Sequence, residues 1–434
     1  MTSETTADTA ADKATRPVAP RPTGVRATER ALAPDLARGL MLLFIAMSNT
    51  AFHLWNSDYG PSGWQPVNGN WLDHTVQFAM IVGLDLRIYP LFAFLFGYGM
   101  MQLYLRQTAS GTSERKAAAL LRKRSLWMIV IGLTHAGLLM AGDIVGYYGL
   151  LSLALGWLFL RRGDRALKWW IWISLTVTVA AAAQPVVTAA LQGELGSLGD
   201  AGADAGSEAY GAGEGSWLTA AGTRMTTAFF LVGMAAPLVL VTGGGFIFLL
   251  GFWAARRRIL EEPGKHLKLL RVTAIVGIAV GWLGGLPAAL AHVGALDVSP
   301  DAESDTGALM ALRDVTGSAA GLGYVALVAL FVHWWTRRRQ QQRDKSTTVA
   351  TAITAISAVG KRSLSCYLTH SLLFAPILAA WGLGLGEHLT SATMVLFALG
   401  VWLVTVAGAY ALEIRGKRGP AETLLRRLMY GKWT

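Results

Sequence analysis

The stretch DLARGLMLLFIAMSNTAFHLW, residues 35–55, decides how the rest of the chain is interpreted. Its apolar middle is about as long as a helix that crosses a bilayer. Two charged residues, an asparagine and a histidine lie along it: Asp35, Arg38, Asn49 and His53. At about 100° per residue, all four share one helix arc of about 60° that runs over about 27 Å. We therefore predict a transmembrane helix over roughly 36–56 whose polar face points into a bundle or a water-filled cavity.

A structural interpretation of the same residues stays open. Asp35 would cap the helix after Pro34, and Arg38 would extend to lipid headgroups. Asn49 and His53 would reach water or hydrogen-bond a neighbouring helix.

The composition indicates an integral membrane protein. Of the 434 residues, 53% are hydrophobic and only 15% are charged. The single cysteine, Cys366, excludes an intrachain disulfide and a cysteine metal cluster, so we expect no metal. The net charge of +11 comes from short Lys and Arg runs between apolar segments. This pattern predicts anionic lipids of the cytoplasmic face, and no nucleic acid, as the partner.

Hydropathy predicts an all-α polytopic bundle of ten transmembrane helices. Their limits are roughly 36–56, 86–105, 125–141, 144–160, 168–190, 227–254, 270–292, 315–335, 364–384 and 391–411. Lys and Arg collect before the first span, in every even-numbered connection and after the last span, whereas the odd connections are acidic or nearly neutral. We therefore expect both termini in the cytoplasm and a multi-pass protein of the cytoplasmic membrane.

The chain is predicted to form one domain. Residues 1–30, rich in Ala, Thr and Pro, read as a disordered cytoplasmic tail, and 31–434 as a single helical domain. Within that domain we expect a flexible acidic outer loop at 192–226 and a basic cytoplasmic segment at 412–434.

A histidine and a carboxylate meet in GLTHAGLLMAGDIVGYYG, residues 132–149, where the third span turns back into the fourth. His135 and Asp143 form the minimal general-base pair, in which the carboxylate fixes the imidazole tautomer. The alternative is a structural histidine bonded to a backbone carbonyl across the hairpin.

The segment GKRSLSCYLTHSLL, residues 360–373, combines a polar face with charges at the inner surface. Ser363, Tyr367 and His370 share one helix face and follow Lys361 and Arg362. The two cations are candidates for holding a phosphorylated cofactor, and lipid phosphate contact is the alternative.

A cation also lies at the outer edge of the second span, in DLRIYPLFAFLFGYGM, residues 85–100. Arg87 is a candidate for binding an anionic substrate group there. Pairing with Asp85 or with lipid explains it equally well.

Four blocks together resemble a known family: DLARG with Asn49, RIYPLFAFLFGYG, THAGLLMAGDIVGYYGLL and the ending RGKRGPAETLLRRL. They are similar to the YeiB-like bacterial membrane proteins, domain of unknown function 418. That family resembles a transmembrane acyltransferase superfamily that includes heparan-alpha-glucosaminide N-acetyltransferase. In that enzyme a similar block pairs the Asp and Arg with an Asn eleven positions on, but its functional histidine lies further along than His53.

The resemblance implies transfer of an acyl group from cytosolic acyl-coenzyme A to a hydroxyl or amine acceptor across the membrane. Acyl-coenzyme A would be a co-substrate held by Asp35, Arg38, Lys361, Arg362, Ser363, Tyr367 and His370. His135 or His53 would be the base, Asn49 would stabilise the oxyanion, and Asp143 would orient a histidine. A small-molecule transporter and a non-catalytic interaction protein are the alternatives, and a homodimer is left open.

Overall fold

The computed structural model describes residues 31–192, 206–235, 243–304, 306–341 and 347–431. The predicted all-α fold is confirmed in these residues, where the only β-type pairing is an isolated bridge between Tyr59 and Pro66. The predicted tail at 1–30 lies outside them.

Sixteen α-helices follow one another in the described residues. The first eight are α1 Leu32–Ser48, α2 Trp71–Gly83, α3 Ile88–Ala109, α4 Glu114–Leu138, α5 Ile144–Phe159, α6 Asp164–Gln192, α7 Gly206–Ala209 and α8 Trp217–Phe230. The others are α9 Gly243–Arg256, α10 Leu267–His292, α11 Pro300–Glu303, α12 Ala308–Gln341, α13 Thr347–Lys361, α14 Ser363–Leu378, α15 Ser391–Ile414 and α16 Pro420–Tyr430.

Five helical segments are long and apolar enough to cross a membrane: Ile88–Ala109, Asp164–Thr188, Pro263–His292, Pro300–Gln341 and Ser391–Ile414. Four shorter apolar helices accompany them: Ile144–Phe159, Gly245–Arg256, Thr348–Lys361 and Ser363–Leu378. By helix length and composition the chain is a helical membrane protein. The count of ten spans and the cytoplasmic side of both termini stay predictions.

Helix α6 shows the surface expected of a lipid-facing helix. Only 17% of its membrane-length window is buried inside the bundle. Trp169, Trp172, Val179 and Val187 are exposed along it, and the tryptophans lie near the end that carries Arg165. Tryptophan is enriched where a bilayer meets water, so this end fits a membrane boundary.

The first helix ends earlier than predicted. α1 stops at Ser48, and His53 lies in a separate 3₁₀ turn, Ala51–His53. The run Ser48, Asn49, Thr50 has short polar side chains that compete for backbone groups, and the Thr50 hydroxyl donates to the Met47 carbonyl at 2.6 Å. The helical arc that begins at Asp35 therefore reaches Asn49, the C-cap of α1, but does not extend to His53.

Several predicted connections contain helices. α2 lies between the first two predicted spans, and α13, fifteen residues long, lies between the eighth and ninth. The described part of the predicted loop at 192–226, residues 206–226, contains α7 and the start of α8. Buried Arg224 holds α8 in place by donating to the carbonyls of Gly137 and Leu138, both at 3.2 Å. Residues 193–205 of that loop lie outside the described residues.

Helix pairs pack closely along the bundle: α10 on α12, α9 on α3, α4 on α5, and α1 on α13. In the last pair the backbones touch at glycines. A Cβ at Gly39 would overlap the Ile356 carbonyl oxygen, and one at Gly360 would overlap the Asp35 carbonyl oxygen. α13 thus packs against the start of α1, where Asp35 and Arg38 lie.

We expect Gly39→Ala to lower the free energy of unfolding by roughly 1–3 kcal/mol, because the added methyl group meets backbone that has no room to move. The matched control is Gly408→Ala on α15, where an added Cβ meets nothing within 4 Å. Thermal unfolding in detergent would measure both variants. Equal shifts of the two midpoints would contradict the close packing of α1 on α13.

Candidate functional site

His135 and Asp143 form a buried pair at the turn between α4 and α5. Asp143 precedes the first turn of α5, where its Oδ2 accepts from the Gly146 N–H at 2.5 Å. Its Oδ1 lies 2.8 Å from His135 Nδ1. A carboxylate at this distance holds the Nδ1–H tautomer, which leaves Nε2 as an acceptor. Nε2 is buried and has no hydrogen-bond partner among the described residues.

Glycine at position 132 makes this geometry accessible. A Cβ there would overlap the Gly146 nitrogen and Asp143 Oδ2. The absence of a side chain therefore lets α4 and the start of α5 approach until the carboxylate reaches the imidazole.

Tyr367 joins the pair from α14. Its ring centroid lies 5.2 Å from that of His135, and its hydroxyl oxygen accepts from the Ile144 N–H at 3.3 Å. Since the oxygen is the acceptor in that bond, the hydroxyl proton remains able to donate elsewhere. The structure thus brings together residues from two motifs that lie more than two hundred positions apart.

A basic cavity of about 310 Å³ opens beside Tyr367, at the end of the bundle where Ala31 and Leu425 lie. Its volume is within the range of small-molecule sites. Five of the predicted cofactor residues line it: Asp35, Arg38, Lys361, Ser363 and Tyr367. Arg106, Arg124 and Glu422 also line it and were not predicted.

The walls of the basic cavity carry four cations against two carboxylates. Arg38 donates to Asp35 at 3.3 Å and to the Leu95 carbonyl at 3.1 Å. Arg124 lies over the Phe96 ring at 5.1 Å, close enough to Arg38 for the two like charges to repel. A bound anion would relieve this repulsion, so the cavity is electrostatically suited to phosphate.

Carboxylates near the C-terminus bind the cations and the backbone of GKRSLSCYLTH. Glu413 binds Lys361 at 2.5 Å and Arg362 at 2.7 Å. Glu422 accepts from the backbone N–H groups of Leu364 and Ser365, at 2.9 and 3.1 Å. The two carboxylates thus tie the end of α15 and the start of α16 to the beginning of α14.

Two of the predicted cofactor residues lie away from the basic cavity. Arg362 is buried and also donates to the Ala358 carbonyl at 3.2 Å. His370 Nε2 lies 3.2 Å from the Thr405 hydroxyl oxygen, and its ring stacks on Phe374. Both side chains are placed to join helices to one another.

A second, aromatic cavity of about 570 Å³ lies on the other side of the α4–α5 turn. Its rings come from Phe52, Trp64, Tyr89, Tyr147, Tyr148, Tyr210 and Phe230. Asp143, Ile144 and Gly146 line this cavity, whereas Val145 lines the basic cavity. The segment 143–146 is therefore the partition between the two cavities, and it holds His135 through Asp143.

Asn49, His53 and Arg87 line neither cavity. His53 is buried with its ring edge on Phe374, and neither ring nitrogen has a partner among the described residues. Arg87 is fully buried and donates to the carbonyls of Asp85 at 2.6 Å and Gly281 at 2.7 Å.

Sequence reasoning missed a buried ion pair beside Arg87. The Asp85 carboxylate accepts from Arg313 at 3.0 Å, Gln65 at 2.9 Å and the Ser48 hydroxyl at 2.8 Å. Arg313 lies 228 positions from Asp85, so no local spacing connects them. The only sequence signal is that both charges stand next to apolar segments, where a polar group needs a partner.

Comparison with known proteins agrees with the resemblance seen in the motifs. Residues 254–432 match the family model described as "Protein of unknown function (DUF418)". The expected resemblance to DUF418 is confirmed over this region. The chain is also 25% identical, over 371 residues and 79% of each chain, to the "Uncharacterized protein YxaH" of Bacillus subtilis (strain 168). No solved structure matches the chain.

The DUF418 match covers α14, α15 and α16 together with the residues that join them. It therefore includes Tyr367 and the carboxylates Glu413 and Glu422, whereas His135 and Asp143 precede it.

Proposed function

We propose that this protein is a membrane acyltransferase that binds acyl-coenzyme A in the basic cavity and its acceptor in the aromatic cavity. One observation carries the proposal: the partition 143–146 borders both cavities and fixes His135 through Asp143. A base between two separate cavities is what direct transfer between two bound substrates requires.

Positive charge in the basic cavity supports the choice of donor. Arg38, Arg106 and Arg124 would hold the phosphates of coenzyme A, with the thioester directed towards Tyr367. Lys361 would contribute less, because Glu413 already neutralises it. Arg362 and His370 would support α14 and would not contact the donor.

His135 would act as the general base. Its Nε2 takes the proton of the acceptor hydroxyl or amine while the acceptor oxygen or nitrogen bonds to the thioester carbonyl carbon. The carbon–sulfur bond then breaks, and the proton held on Nε2 passes to the leaving thiolate. Asp143 stabilises the imidazolium that exists between these two steps.

The Tyr367 hydroxyl would donate a hydrogen bond to the carbonyl oxygen as negative charge develops there. This role was expected for Asn49, but Tyr367 is the side chain that lines the basic cavity beside the His135 ring. His135 itself lines neither cavity, so the reaction requires the Tyr367 ring to shift and admit the thioester.

Binding of acetyl-coenzyme A to the detergent-purified protein tests the proposal. We expect Arg124→Gln to weaken binding by roughly tenfold or more, because a charge-assisted contact to phosphate is lost. The control is Arg122→Gln, an exposed cation on the same helix outside the basic cavity. Pantetheine, which has the thiol arm but no phosphate, should bind weakly to every variant.

Absence of acetyl-coenzyme A binding at millimolar concentration, with a cooperative unfolding transition retained, would exclude the proposed donor. Equal losses in Arg124→Gln and Arg122→Gln would show that the basic cavity is not where it binds.

A further inference from the structure

The aromatic cavity has an unusual balance of charge. Its walls include seven aromatic side chains, which come from the loops and from α3, α5 and α8. Among the described residues that line it there is no Lys, Arg or His, whereas two carboxylates, Asp143 and Asp314, do line it. An anionic ligand would find no counter-charge there.

Asp314 is the carboxylate that remains available to a ligand. Both Asp143 oxygens are engaged, one by His135 and one by the Gly146 N–H. Asp314 is exposed, and no described residue donates a hydrogen bond to it. Its charge nevertheless acts on the nearby Tyr147 hydroxyl.

Two arginines lie near Asp314 but form their hydrogen bonds with other groups. Arg313 binds Asp85 at 3.0 Å, and Arg87 donates to two backbone carbonyls. Their charges reduce the negative potential at Asp314 without forming a hydrogen bond to it. A ligand cation beside Asp314 would therefore supply the direct partner that the protein does not.

Part of the cavity lining is apolar and exposed. Phe230 is 64% exposed, and Leu231 and Val232, in the π-helical turn that follows α8, are half-buried. The lining of this cavity therefore includes exposed apolar surface, which is typical of a binding site. A ligand that enters here needs a hydrophobic body.

We infer that the aromatic cavity binds a hydrophobic amine, with its ammonium group between the Asp314 carboxylate and the Tyr147 ring. Aromatic faces attract cations, most strongly when the site excludes water, and a carboxylate adds to the attraction. Binding depends only on the cavity, whereas the role of this amine as acyl acceptor rests on the proposed function.

As acceptor, the amine would react in its neutral form. The ammonium first loses one proton to solvent, and the amine nitrogen then bonds to the thioester carbonyl carbon. His135 Nε2 takes the second proton and passes it to the departing thiolate. The products are an amide and free coenzyme A, with one proton released to solvent.

Three probes of matched shape test the inference: 4-phenylbutylamine, 4-phenylbutanol and 4-phenylbutyrate, titrated into the detergent-purified protein. We expect the amine to bind at least tenfold more tightly than the alcohol, and the carboxylate to bind most weakly. Asp314→Asn should reduce affinity for the amine by ~10-fold and leave affinity for the alcohol unchanged. Glu208→Gln, which removes an exposed carboxylate of α7 outside the cavity lining, is the control.

Tighter binding of the carboxylate than of the amine would overturn the inference, as would unchanged affinity for the amine in Asp314→Asn. Amine binding that depends on Asp314, without an amide product when acetyl-coenzyme A is added, would support the inference and count against the proposed function. Acyl transfer to another acceptor, with no amine binding, would support the proposed function and overturn the inference.

Discussion

His135→Ala is expected to lower the rate of acyl transfer by roughly 10²–10⁴-fold, the range that a general base contributes. The affinity for acetyl-coenzyme A should stay unchanged, because His135 does not line the basic cavity. Release of the coenzyme A thiol, followed in single-turnover experiments, would measure the rate separately from binding.

His53→Ala is the matched control, because both histidines are buried and both were candidate bases in the sequence. His53 has no carboxylate partner in the described part of the chain and lines neither cavity, so its removal should leave transfer within a few-fold of the unmodified protein. Loss of transfer in His53→Ala with retention in His135→Ala would reverse the assignment of the base.

Asp85→Ala is expected to have the largest effect on stability, lowering the free energy of unfolding by roughly 3–5 kcal/mol. The substitution leaves the Arg313 guanidinium buried without its counter-charge, and Ser48 and Gln65 lose the acceptor that they share. Thermal or denaturant unfolding of the purified protein would measure the change.

Two further variants make this result specific. Asp85→Ala combined with Arg313→Leu should recover much of the loss, since the Arg313 guanidinium is then no longer buried without a counter-charge. Asp164→Ala, which breaks partly exposed ion pairs with Arg256 and Arg257, should cost at most about 1 kcal/mol. Equal destabilisation by Asp85→Ala and Asp164→Ala would show that the buried pair has no special role.

Local sequence patterns predicted the parts of the site that depend on near neighbours. His135 and Asp143 are eight positions apart in one tight hairpin, and their pairing follows from the turn itself. The clustering of Ser363 and Tyr367 on one face of α14, which places both on the basic cavity, follows from helix periodicity.

The helix ends were harder to predict than the helices. Apolar residues recur between Ser48 and Leu54, so the sequence predicted one helix through His53. The backbone instead leaves the helix at three consecutive short polar residues, where the Thr50 hydroxyl donates to the Met47 carbonyl that a longer helix would otherwise use. α13 was missed for a related reason, since it is shorter than a membrane span.

The sequence by itself determined that this protein is helical, that its helices are apolar enough for a membrane, and that His135 has a carboxylate partner. Only the tertiary structure decided that Glu413 forms ion pairs with Lys361 and Arg362, and that Arg313 forms one with Asp85. Helix propensity and hydropathy act over a few turns, whereas these pairs join residues between 51 and 228 positions apart. Which distant charges meet depends on how the helices pack, and that is a property of the whole bundle.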